Sequence, residues 1–187
     1  MNMRTAVCCL LLTLTIAGAA LAADPPKLTF ASALDRDLTA VEREVVPAAE
    51  AMPEANFNFA PTQGEFKGVR TYGEQAKHIA AVSYIVGAVI LGEKPPAEAG
   101  KDEAGPASVK SKDEIMKYLR DSFAYAHKAI NSITEANAVE PIKSPWDSNT
   151  TTRLNMAVEL ISHPFDHYGQ MVEYLRMNGI VPPASRQ

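Results

Sequence analysis

The sequence predicts an all-α domain, a four-helix bundle with a long connection between its second and third helices. Four stretches repeat their apolar residues at helical spacing, several behind a Ser or Thr cap. No stretch of useful length alternates apolar and polar residues as a half-buried strand does. Four helices without a sheet can bury their apolar faces only against one another.

The chain opens "MNMRTAVCCLLLTLTIAGAALAADPP". Arg4 gives a positive start, Val7 to Ala17 an apolar run, and "ALAAD" a small-residue cleavage site. Residues 1–23 therefore read as a signal peptide that is removed, and the protein as exported, to a periplasm or beyond the cell. The run is too short, and ends in too many small residues, for a retained anchor. Removing residues 1–23 from 187 leaves about 164, which suits one domain, residues 24–187. Cys8 and Cys9 leave with the leader, so the mature chain has no disulfide and no thiol ligand or nucleophile. Loss of Arg4 takes the formal charge from −4 to −5. With no basic stripe, nucleic acid is excluded as a partner.

The first helix is expected from Ser32, as N-cap, with Leu34, Leu38, Val41 and Val45 on one face and a bend or end at Pro47. "PEANFNFAPTQGEFKGVR" follows as a loop with aromatic anchors. Thr71 and Glu74 form a capping box for the second helix, and no charge occurs from Ile79 to Gly92. That run is too short to span a bilayer and reads as a buried helix. Residues 94–108, rich in Pro, Ala, Gly and charge, read as a mobile connection, which frees the helix order from simple antiparallel neighbours. Ser111 and Glu114 cap the third helix, whose stripe is Ile115, Leu119, Ser122/Phe123, Ala126 and Ile130. The fourth runs from about Thr150 to Asn178 and stops at Gly179.

On a helical wheel, Leu154, Ala157, Val158, Ile161, Phe165, Tyr168, Val172 and Leu175 share the apolar side of the fourth helix. His163 and His167 fall at its margin, in line with Met156, Leu160 and Tyr174. One helical turn separates the two imidazoles, so both can reach one divalent ion. Pro164 between them removes the general base of an H-E-x-x-H motif and should kink the helix, releasing the Leu160 carbonyl. Alone, the pair reads as the polar edge of a bent helix before it reads as a metal site. His78 changes the balance. It opens the charge-free run, where an imidazole needs a partner, and three neutral imidazoles make an open tripod around an ion. A hydrogen-bonded core histidine remains the alternative. His127, beside Tyr125 and Lys128, reads as surface or core filling.

"EQAKHIAA" followed far downstream by "HPFDHYGQMVEYLRMNGIVPP" resembles the DinB superfamily over nearly all of the mature chain. The loop leading to His78 is similar as well. The resemblance implies a bundle with an unusual helix order and a long link between helices two and three. It also implies a divalent metal, zinc or nickel, on His78, His163 and His167. The chain departs from the family at Pro164, where an ordinary helix former is usual.

Two functions follow as expectations. One is a metalloenzyme, a hydrolase or transferase of a small molecule, in which the ion brings a bound water's pKa to about 7. Glu74 and Gln75 beside His78, and Glu159, Asp166 and Gln170 beside the pair, are candidate supporting groups. The other is a non-catalytic bundle that holds a metal or a ligand, or serves protein contacts. A cavity beside the histidines would favour the first. Metal affinity should fall as pH falls through the histidine range. A homodimer is compatible with the sequence. Asn149-Thr150-Thr151 is a glycosylation sequon, meaningful only in a eukaryotic secretory pathway. The methionines, Trp146, Tyr168 and Tyr174 read as packing residues.

Overall fold

The computed structural model describes residues 28–186. The expected signal peptide lies outside the described residues. Four long helices build the domain: α1 (Phe30–Ala51), α2 (Tyr72–Leu91), α3 (Lys112–Asn131) and α4 (Arg153–Met177). Among the described residues no helix is long and apolar enough to cross a membrane.

The capping boxes at Thr71/Glu74 and Ser111/Glu114 form as the sequence expects. At α1 the cap sits one turn earlier. Thr29 is the N-cap and Ser32 its reciprocal partner, each side chain accepting the other's backbone N–H. Two serine-like residues three apart read the same in either role, and the extra turn begins at Phe30.

Pro47 neither ends nor interrupts α1. Its missing N–H costs one intrahelical bond. Tertiary contacts hold the following turn. Ala48, Ala49 and Met52 are fully buried, and the Tyr72 hydroxyl donates to the Ala48 carbonyl at 2.5 Å. Lys112 Nζ then donates to the carbonyls of Glu50 and Met52 at 2.8 and 2.7 Å, satisfying orphan acceptors of the helix end.

α2 packs chiefly against α3 and α4, and α1 likewise packs against α3 and α4. α1 and α2 barely meet, so they face each other diagonally across the core. The two helices that the long connection joins are therefore neighbours, and they run parallel, with Gly73 beside Ile115 and Gly87 beside Tyr125, so the connection returns along the bundle. The diagonal steps are α1 to α2 and α3 to α4. α2 is the most enclosed element, as its charge-free run requires. Gly87 lets α3 come close, since a Cβ there would meet the Tyr125 ring at 2.9 Å.

The loop after α1 anchors on Phe57 and Phe59. Their carbonyls accept from Gly73 and Tyr72 at 2.8 and 2.9 Å, which fixes the start of α2. A two-stranded antiparallel ribbon, β1 (Pro141–Lys143) with β2 (Thr150–Thr152), lies where the sequence suggests only loop and the first turn of helix four. Strands of three residues leave too little alternation to read. α4 therefore starts at Arg153, capped by the Thr152 side chain.

Candidate metal centre

His78 lies in the second turn of α2, and His163 and His167 lie in mid-α4, on neighbouring helices. The buried side of α4 is Met156, Leu160, Pro164, His167, Met171 and Tyr174, with Ala157 and Leu175. The wheel reading needs correction here. Val158 and Phe165, assigned to the apolar side, are 49% and 43% exposed, and the line of the histidines runs along the buried face. A wheel of α4 alone placed that face too far round, because the buried side is set by where α1 and α2 pack against the helix. α4 is continuous through Pro164. The proline still cannot bond the Leu160 carbonyl, but the helix does not end or break there.

The three rings converge. Their centroids lie 4.6 to 5.0 Å apart, and one ligand atom from each falls within 4.8 Å of the others. His78 Nε2 and His163 Nε2 are 3.1 Å apart. Two imidazole nitrogens on a tetrahedral ion at about 2.0–2.1 Å each would stand about 3.3 Å apart.

The far nitrogens decide which atoms face inward. His78 Nδ1 lies 2.9 Å from the Glu103 carbonyl, which can only accept, so Nδ1 carries the hydrogen and Nε2 the lone pair. Glu103 belongs to the connection between α2 and α3, in a short 3₁₀ turn (Lys101–Glu103). Asp102 and Glu103 both have left-handed backbone, φ 52 and 53. His167 Nδ1 lies 2.5 Å from Gln75 Oε1 on α2. Among the described residues, His163 Nδ1 is buried with no hydrogen-bond partner. Three ring nitrogens gathered at one point, two of them fixed from behind, fit a cation.

Burial, first of all, lowers the proton affinity of all three imidazoles. His163 is held down to about 3, with the His167 and His78 rings adding to burial. His167 is held down to about 4 by burial and then by the His78 ring. His78 is lowered by burial, partly opposed by its bond to Glu103. All three are neutral at pH 7 and ready to ligate. The Arg70 guanidinium also opposes a proton on each of them, while the Glu103 charge favours one on His78 and the Asp166 charge favours one on His167. Five cavities of 200 to 640 Å³ lie elsewhere, and none is lined by these histidines.

Residues 37–171 match the profile of the DinB superfamily. The chain belongs to that family. No curated protein matches it significantly. Its fold is similar to that of a DinB-like protein from Bacillus cereus, with a TM-score of 0.64 and 19% identity over 80% of this chain and 93% of that one. At that identity the likeness is one of fold. The DinB bundle here thus brings together the three histidines that the sequence singles out and leaves His127 apart. His127 is clasped between Asp35 and Glu42 of α1, its ring nitrogens 2.7 and 3.1 Å from their carboxylates. Of the supporting groups expected, Gln75 bonds His167 directly, Gln170 reaches the site only through Gln75, Glu74 serves the cap of α2, and Asp166 bonds Gln170. Sequence reasoning missed Glu103 and Arg70. Glu103 sits in a stretch read as a mobile link, and nothing local ties Arg70 to residues two turns along.

Proposed function

We propose that this DinB-superfamily protein is exported, holds one divalent ion on His78, His163 and His167, and acts with it on a small molecule, as a hydrolase or transferase. The convergence of three neutral imidazoles, two of them with Nε2 turned inward by a bond at Nδ1, carries the reading. Three borderline nitrogen donors suit zinc or nickel. When bound, the ion supplies Lewis acidity, to activate water or polarise an acyl or phosphoryl oxygen. The protein's share is to hold the donors neutral and aimed, and to keep the surroundings dry. Arg70 has no carboxylate within ion-pair distance among the described residues. Its guanidinium favours a substrate that carries negative charge. Glu103, half-buried and close enough to act on His78, is the carboxylate best placed to move a proton. Export rests on residues 1–23.

A second reading is a bundle that holds metal without turnover; the five cavities of 200 to 640 Å³ are not lined by the histidines. Elemental analysis and zinc or nickel titration of the purified mature protein test the shared core of both readings. About one ion per chain is expected, lost in His78→Ala, His163→Ala and His167→Ala and kept in His127→Ala. Equal metal content in wild type and a His78→Ala/His167→Ala double variant would sink it. Turnover by the loaded protein on activated esters, abolished in Glu103→Gln with metal retained, would then decide for the enzyme.

A further inference from the structure

We propose that Gln75 is a positioning residue for His167, and that Gln170 and Asp166 on the surface of α4 set the direction in which it works. The relay stands on hydrogen-bond chemistry alone, and its consequence for metal rests on the reading above.

The chain of contacts has a polarity that can be read from one end. The Asp166 carboxylate only accepts. Gln170 Nε2 donates to it at 3.2 Å. The Gln170 oxygen is thereby turned toward Gln75, whose Nε2 lies 3.0 Å away and must donate to it. That leaves Gln75 Oε1 facing His167 Nδ1 at 2.5 Å, so the oxygen accepts and Nδ1 carries the hydrogen. Nε2 of His167 is left with its lone pair toward His78 and His163. Turning both amides over together would set the Gln170 oxygen against the Asp166 carboxylate and the Gln75 amino group against Nδ1. An exposed carboxylate thus selects the tautomer of a buried imidazole three groups away.

Burial makes the middle of the chain count. Gln75 is 2% exposed, so a lost partner there is not replaced by water. Asp166 and Gln170 are exposed and contribute direction more than strength. A buried glutamine could also merely satisfy itself, and then His167 would be indifferent to how its amide points.

The test reads the tautomer of His167 directly, by imidazole ¹⁵N shifts of the metal-free protein at neutral pH, alongside zinc affinity by chelator competition. The wild type should show Nδ1–H. Gln75→Glu keeps an acceptor and should keep both that tautomer and zinc affinity within a few fold. Gln75→Leu should lose the single tautomer and weaken zinc by about 10- to 100-fold. Gln170→Lys, on the surface where folding is not at risk, puts a group that only donates opposite Gln75. It should reverse the amide, move the hydrogen to Nε2 and weaken zinc at least tenfold. Nε2–H in the wild type, or Nδ1–H that persists in Gln170→Lys, would overturn the proposal. Nδ1–H in a wild type that binds no zinc would instead refute the metal reading and leave the relay standing.

Discussion

An ordinary histidine exchanges a metal for protons near pH 6.5. The tripod should behave otherwise. Burial, helped by the neighbouring rings, holds His163 at about 3 and His167 at about 4. Protons therefore compete for these nitrogens only well below the usual histidine range. The simple expectation from sequence, loss of metal as pH falls through that range, is displaced downward by the environment. Zinc should remain bound after dialysis at pH 5, where a surface histidine pair would release it. Half-release near pH 6.5 would show that the rings are more open to water than the structure has them. His163 adds a second residue-scale expectation. Its Nδ1 is buried without a partner among the described residues, a loss that costs about 1–3 kcal/mol when such a group is left unpaired. His163→Ala should consequently destabilise the metal-free protein less than the removal of a packed ring would, while abolishing the site.

At the scale of elements, the connection between α2 and α3 changes character from the one its composition suggests. Lys77 Nζ donates to the Pro106 carbonyl at 3.0 Å, the Tyr118 hydroxyl to Glu98 at 2.7 Å, and His78 to Glu103 at 2.9 Å. Two consecutive non-glycine residues, Asp102 and Glu103, adopt left-handed backbone to aim that last carbonyl. The conformation costs roughly 1–2 kcal/mol per residue. Glu103→Gly keeps the carbonyl and relieves the strain, so zinc affinity should hold. Glu103→Pro cannot reach φ 53 and should weaken zinc by tenfold or more, with faster amide exchange over residues 99–106. Unchanged affinity in the proline variant would make the contact incidental. What was legible in the sequence at this scale was local. The boxes Thr71/Glu74 and Ser111/Glu114, and the stripe from Ile115 to Ile130, depend on residues three or four apart. The persistence of α1 past Pro47 and the true inner face of α4 depend on partners such as Tyr72, Lys112 and Gln75. No periodicity within the helix itself encodes those partners.

For the whole molecule, two histidine sites tie different helix pairs and titrate in opposite senses. The tripod joins α2 to α4, and its imidazoles have proton affinities lowered by folding. Their contribution is fully present above about pH 6.5, the unfolded value. It is lost as pH falls toward the folded values of about 4 and about 3. His127 joins α3 to α1. Burial works against its charge, yet the bonds to Asp35 and Glu42 raise its proton affinity above the ordinary value. Both ring nitrogens face carboxylates, so only the imidazolium satisfies them. Its contribution is complete below about pH 6.5 and is lost as pH rises through the raised folded value. The metal-free protein should therefore be most stable near neutrality, with melting temperature falling on both sides. His127→Gln should flatten the alkaline side and leave the acid side in place. Saturating zinc should do the reverse, lifting the whole curve by about 2.7 kcal/mol at a hundredfold excess over Kd and pushing the acid fall to lower pH. Calorimetric melts of wild type and His127→Gln from pH 5 to 9, with and without zinc, separate the two clasps. An alkaline limb of equal slope in both proteins would mean that His127 does not hold α1 by its charge.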